Sequence, residues 1–311
     1  LDFMLLSLLL MQEKINKDCF FSFYMEEYYF LFLLAFVYAI IASINDLRKT
    51  EVANWISFSF IAFALSYRVF FSIFHKDLNF LIFGLLGAVF FFLIANVFYY
   101  TKVFGGGDAK FLIGFGLIIP FNSYFDIIIS GFGFVFLLFL IGTIYTLIYS
   151  VFIAFANKDK FKSAFVKKFR EKKKLFLLSF VLIVLLLLET IYLRSNYSFW
   201  YFSAAFLLFV PLLYIYLKSL EQGCMIRFVG PEKLTVGDWL EKEVKVGNKT
   251  IRKSVHGLSS KEINILTKTG KKVWIRFGVP FVPAFLFTLL VMVFFLAILK
   301  FDFQNFLLSL F

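Results

Sequence analysis

Cysteine and histidine are nearly missing from this chain, with two of each in 311 residues. Cys19 and Cys224 are far apart and share no spacing with His75 or His256, so neither a zinc site nor a disulfide framework is indicated. Two histidines give no basis for a His-based metal site, and neither a metal nor a cofactor is expected. Charge is also scarce at 17%, and only 5 prolines occur. In their place stand 61% hydrophobic residues and 50 phenylalanines, where a soluble domain carries roughly 45–50% apolar residues. This composition excludes a soluble enzyme, a disordered chain and a secreted disulfide scaffold. Several apolar stretches of about twenty residues are long enough to cross a hydrocarbon core of roughly 30 Å.

The expected fold is therefore an all-α polytopic membrane protein of about eight transmembrane helices with a small cytoplasmic α+β segment. Candidate spans cover 28–45, 55–74, 78–100, 109–120, 125–156, 175–193, 198–217 and 279–299. The expected organisation is an N-terminal appendage 1–24, with Met25 as a possible start, and a catalytic membrane part 25–156. A basic cytoplasmic loop 157–174, a helical pair 175–217, a cytoplasmic polar domain 218–277, and a last helix with its tail 278–311 follow. The net charge of +12 reports topology rather than a nucleic-acid footprint. With eight alternating spans, 26 of the 32 Lys and Arg residues fall on one side, as the positive-inside rule requires of cytoplasmic loops. Within the polar domain, Ser259 with Glu262 forms a capping box and Gly270 a stop, predicting a helix over 260–269. Val244–Val246 and Thr250–Val255 around Gly247–Asn248 predict a hairpin.

Two acidic residues stand out because both fall at the cytoplasmic boundary of that topology. Asp46 ends the first span, and Asp108 follows Gly105-Gly106-Gly107 and opens the short fourth one. Ionisable groups at membrane depth are costly and are functional candidates by default. Two carboxylates a few ångströms apart do not both ionise easily, so they share a proton. The ionised member can activate a water while the protonated one polarises a carbonyl, which is aspartyl-protease chemistry. The three glycines supply φ angles other residues avoid and allow close approach of a substrate backbone. The bland alternative is a flexible turn and a helix N-cap.

Gly105-Gly106-Gly107-Asp108-Ala109-Lys110 resembles the GxGD motif of the type 4 prepilin peptidases, where a Lys often follows the Asp by two. Asp46-Leu47-Arg48 with Val52-Ala53-Asn54 resembles that family's first aspartate segment, an Asp-x-Arg followed by Ile-Pro-Asn; Ala53 stands where the family has proline. The separation of 62 residues leaves room for two spans, as in the archaeal preflagellin peptidases. Leu234–Leu240 and Gly278–Phe285 are similar to archaeal members carrying an extra domain. The resemblance implies a membrane aspartic endopeptidase of the cell membrane with Asp46 and Asp108 as the dyad. It implies, as partners, pilin-like or archaellin precursors whose short basic leaders are cut just before an apolar segment. The bacterial relatives' N-methylation goes with a cysteine cluster that Cys19 and Cys224 do not form, so peptidase action without methylation is expected.

Two other readings compete. A presenilin-like intramembrane protease usually pairs GxGD with a Tyr-Asp in the preceding helix, and the third span ends Phe98-Tyr99-Tyr100 without Asp. A transporter would use Asp46 and Asp108 as an ion site. Among weaker features, Glu189 reads as a snorkelling or helix-contact residue. Arg68 and Asp126 read as interfacial groups at outer ends, His75 and His256 as solvated loop residues, and Asp238 as a turn or cap. The run 158–174, with net charge +7, reads as a loop held on anionic membrane lipids, with substrate docking as the lesser alternative.

Overall fold

The structure is a computed structural model that describes residues 27–193, 197–247, 249–254 and 257–297. The appendage 1–24, Met25, Cys19, His256 and the tail beyond 297 lie outside the described residues, as does the side chain of Glu189. In chain order the helices are α1 (Glu27–Lys49), α2 (Asn54–His75), α3 (Leu78–Tyr100), α4 (Gly106–Phe115), α5 (Tyr124–Ala156), α6 (Lys158–Glu171), α7 (Lys173–Leu193), α8 (Tyr197–Gly223), α9 (Ser260–Thr269) and α10 (Val282–Ala297). Five short strands lie between α8 and α10: β1 (Ile226–Val229), β2 (Trp239–Leu240), β3 (Val244–Val246), β4 (Lys249–Ile251) and β5 (Val273–Arg276). The chain divides into two units, residues up to 146 with those from 280 onward, and residues 147–279.

In the first unit, α1, α2, α3 and α5 are long and apolar enough to cross a membrane. Their outer faces carry exposed Phe63, Phe70, Leu85, Phe92 and Phe132, far more apolar surface than water tolerates on a soluble monomer. Where helices meet, small residues replace bulky ones. Gly84, Gly87 and Ala95 are the buried small positions of α3, the pattern by which membrane helices bring their backbones close.

The candidate span 109–120, short by itself and preceded by glycines, holds a ten-residue helix, α4, only about 15 Å long. Beyond it the chain turns, with Gly116 N–H donating to Ile113 O at 3.1 Å and Leu117 N–H to Gly114 O at 3.0 Å. The segment nevertheless follows α3 closely. Gly106 lies beside Tyr99, a Cβ on Gly116 would sit 2.5 Å from Gly87 O, and the ring of Tyr124 is 5.6 Å from that of Phe83. Residues 106–124 therefore run antiparallel along α3 over some 24 Å, estimated at 1.5 Å per residue of α3.

Breaking a helix at this depth frees carbonyls that lipid cannot satisfy, and Arg68 answers that need. Expected as an interfacial residue, it is fully buried at 0% exposure. Its Nε donates to Leu117 O at 2.6 Å, its Nη2 to Ile119 O at 3.3 Å and its Nη1 to Phe80 O. The guanidinium also lies over the rings of Tyr28 at 5.3 Å and Phe80 at 4.5 Å. Five donors in a fixed fork suit several converging carbonyls, and that demand outweighs the pull of the interface. Asp126 is half-buried at the start of α5, where its Oδ2 accepts the Asn122 N–H at 3.0 Å. His75 is the last residue of α2 rather than a loop residue, with its ring stacked 4.0 Å from Phe71.

In the second unit the run expected to be a basic loop is the helix α6. Its phenylalanines recur every fourth residue, so Phe161, Phe165 and Phe169 share one face, with ring centroids 5.9 and 6.3 Å apart. That face meets Tyr216 of α8 and Phe176 of α7. The polar domain has a three-stranded antiparallel sheet in the order β1-β5-β2, and a β3-β4 hairpin. The hairpin is shorter than expected, since β4 ends at Ile251. Helix α9 has the expected bounds, with Glu262 Oε2 accepting the Ser259 N–H at 2.8 Å and Gly270 at φ 62°. Leu240, Ile251, Leu258, Leu266, Val273 and Ile275 form its core. Asp238 makes a turn, its Oδ2 accepting the Thr235 N–H at 2.8 Å. Arg276 ties the sheet to the end of α8, with Nη1 on Glu221 and Nη2 on Glu241 Oε2 at 2.6 Å.

Candidate active site

The site is assembled where three helix ends of the first unit meet. Asp46 stands one turn from the end of α1, 4% exposed. The helix closes just after it, as Thr50 takes a left-handed φ of 54° and donates its N–H to Asp46 O at 2.7 Å. The chain then runs through Val52 and Ala53 into α2. Ala53 has φ −62° and ψ 136°, the backbone a proline would impose. The bend that follows the first aspartate is thus present without the ring.

Asp108 is the third residue of α4, and its Oδ2 reaches back to the Gly105 N–H at 3.2 Å, satisfying one of the donors orphaned at a helix start. The preceding turn is set by Lys102, left-handed at φ 62°, after which the N–H groups of Val103 and Phe104 both return to Phe98 O. The expectation that the three glycines supply unusual φ angles does not hold: Gly105 has φ −68°, and none of the three is among the positive-φ residues. Space is what matters instead. A Cβ on Gly107 would meet Val52 Cβ at 3.0 Å and Val52 N at 3.1 Å, so the lack of a side chain lets α4 sit against the loop that follows Asp46.

The two aspartate segments are also tied by side chains. Lys110 Nζ donates to Asn54 Oδ1 at 2.8 Å, joining the second position after Asp108 to the first residue of α2. A third element, not identified from the sequence as part of the site, is the start of α10. Val282 N–H donates to Asp46 Oδ2 at 3.0 Å, and the Phe281 backbone N–H donates to the same carboxylate. Exposed backbone donors at a helix start are a ready carboxylate site. Aromatic packing holds α10 there, with Phe104 5.3 Å from Phe281 and Phe111 5.6 Å from Phe285. The signal in the sequence is Pro280 and Pro283 around Val282, since proline favours the first turn of a helix.

Asp108 lies outside the four long apolar helices and is half-buried. Burial, and then the charge of nearby Asp46, push its carboxyl up from 3.8 to about 7, against the lowering effect of the Gly105 N–H. An arrangement in which one carboxyl keeps its proton to neutral pH beside a second carboxylate can deliver and accept protons in one reaction. Among the described residues no group of His, Cys, Asp and Glu is arranged to hold a metal ion, and the proton chemistry of the pair needs none.

Comparison with known proteins adds an independent finding. Residues 32–153 match the model of the Type IV leader peptidase family, a stretch that contains both aspartates. Over 89 residues the chain is 30% identical to a preflagellin peptidase of Methanocaldococcus jannaschii, covering 29% of this chain and 38% of that protein. Over 81 residues it is 33% identical to a preflagellin peptidase of Methanococcus maripaludis, covering 26% of this chain and 35% of the relative. The chain thus spans less than two fifths of the length of either curated relative. No solved structure matches it.

Proposed function

We propose, from the match of residues 32–153 to the type IV leader peptidase family, that the chain is an aspartic endopeptidase of that family. Its substrates are pilin-like or archaellin precursors, whose short basic leaders it removes at the cytoplasmic boundary of the cell membrane. The observation that carries this reading is the seam between the two aspartate segments, where Gly107 lies against Val52 and Lys110 Nζ donates to Asn54 Oδ1 at 2.8 Å. In the reaction Asp108 carries the proton and Asp46 is the base. A water held between them gives a proton to Asp46 as its oxygen adds to the scissile carbonyl carbon, while Asp108 protonates the carbonyl oxygen. The tetrahedral species collapses as Asp46 returns its proton to the leaving nitrogen, the C–N bond breaks, and a hydroxyl proton of the diol returns to Asp108 as the new C=O forms. The backbone of Gly105–Gly107 borders this space with no side chain in the way of an extended substrate.

The membrane arrangement follows the same reading. Residues 25–156, completed by the start of α10, are the catalytic part. The candidate span 109–120 counts as one crossing, with Asp108 just before it at the boundary, and α7, α8 and α10 complete a set of about eight. The basic segment 157–174 and the polar domain 218–277 face the cytoplasm, as the distribution of Lys and Arg requires. The chain acts as a peptidase without methylating its product.

Co-expression with a precursor pilin or archaellin tests the proposal. Asp46→Asn and Asp108→Asn should each lower processing by about 10²–10⁴-fold, the usual worth of general acid–base catalysis, with both variants still present in the membrane. Normal processing by either variant would overturn the dyad. Ion flux that persists without any processing would point to transport instead. A reporter fused after Lys253 should be cytoplasmic.

A further inference from the structure

Helix α6 presents a charged surface that the peptidase reading leaves unused. Its aromatic face is occupied by α7 and α8, through Phe169 with Phe176 and Phe161 with Tyr216. The outer face holds Lys162, Lys167 and Arg170, all exposed, while Lys160 lies at the edge against Gly223 at the end of α8. Lys168 is turned away from that face, half-buried and paired with Glu171 at 2.5 Å, an ion pair that keeps the Glu171 carboxyl below its usual range. No ion pair engages Lys162, Lys167 or Arg170 among the described residues. Asp159 and the Lys168-paired Glu171 are the acids on that face, and exposed Val166 stands in its middle.

We propose that this outer face of α6 binds anionic phospholipid headgroups and holds the helix along the membrane surface. The position of the helix in the chain favours that partner. A single residue, Asn157, separates α6 from the 33-residue apolar α5, and a single residue, Lys172, separates it from α7. An amphipathic helix pinned between two apolar helices lies at the level of the headgroups, where phosphate is the dense negative charge. Residues 157–174 carry a net +7, and a lone Val166 amid the cations matches the shallow apolar contact of interfacial helices. The inference rests on reading α5 and α7 as membrane helices and is independent of the peptidase chemistry.

The test uses the full chain with Cys19→Ser and Cys224→Ser, carrying Ser163→Cys labelled with an environment-sensitive fluorophore. Ser163 lies on the exposed face between Lys162 and Lys167. The protein is reconstituted in phosphatidylcholine vesicles with or without phosphatidylglycerol and a headgroup-attached quencher. Quenching should be stronger with phosphatidylglycerol and should fall on raising salt. Neutralising Lys162, Lys167 and Arg170 to Gln should weaken lipid contact about 10²-fold, at roughly fivefold per charge, while Lys162→Arg with Lys167→Arg retains it. Equal quenching in both vesicle types, salt-insensitive quenching, or a response only to an added acidic polypeptide or nucleic acid would overturn the proposal.

Discussion

The two ends of α4 are held in opposite ways. At its start an acidic side chain, Asp108, folds back on the Gly105 N–H. Beyond its end a buried cation, Arg68, collects the carbonyls of Leu117, Ile119 and Phe80. Both choices complement the helix dipole, which favours negative charge at the start and positive charge at the end, but their consequences differ. The cation is fully enclosed and has its donors spent on backbone, so it serves only to let the chain leave the helix early. The acid is half-open, and its neighbour is another carboxylate. A short helix thus has a closed end, held by a buried cation, and an open end that carries the proposed acid.

That contrast is open to direct attack. The largest effect is expected from Arg68→Met, which leaves buried carbonyls without donors at about 1–3 kcal/mol each. Thermal unfolding in detergent should show a loss of about 3 kcal/mol or more, and Arg68→Lys should recover only part, because one ammonium cannot span three acceptors in the same fork. Full stability in the lysine variant would dismiss the clamp.

The open end should answer to pH instead. With its carboxyl raised above 3.8 to about 7, Asp108 binds its proton more tightly in the folded state than in the unfolded one. Its contribution to stability is therefore fully present below 3.8 and is lost as pH rises through about 7. Precursor cleavage should likewise fall about tenfold per pH unit above about 7, where the acid is deprotonated. A flat profile between pH 6 and pH 9, roughly, would remove the assignment of Asp108 as the acid, and Asp108→Asn should flatten the stability curve.

Smaller changes probe the seam between α4 and the Asp46 loop. Gly107→Ala puts a Cβ against Val52 at 3.0 Å and should cost about 1–3 kcal/mol by overpacking, with cleavage lowered more than substrate binding. Gly106→Ala, whose Cβ would meet Tyr99 at an ordinary 3.6 Å, should leave stability unchanged and serves as the control for packing alone. The smallest expected effect is a gain. Ala53→Pro fits the existing φ of −62° and should stabilise the protein by about 0.4–1 kcal/mol through the unfolded state, seen as a higher unfolding temperature with cleavage unchanged.

Legibility followed physical range. Helices α2, α3, α5 and α9 are close to their expected bounds because apolar run length and capping chemistry act over neighbouring residues. The helix α6 was read as a loop because charge masks a Phe-every-fourth pattern that becomes visible once three aromatic rings are aligned. The turns after α1 and α3 had no local signal, since left-handed backbone at Thr50 and Lys102 falls on residue types that seldom adopt it. Arg68 was misplaced because snorkelling is the default for a basic residue near a helix end, and only the broken segment beside it reverses the preference.

By itself the sequence determined the membrane class and the two aspartates as the residues to watch, because these rest on composition, on run length and on one short motif around each acid. Tertiary structure decided what those aspartates have for company. The start of α10 lies 236 residues from Asp46 in the chain, and its N–H groups reach that carboxylate only because Phe104, Phe111 and the phenylalanines of α10 pack together. No local pattern encodes a contact of that span; it exists only when the core that holds both ends has formed.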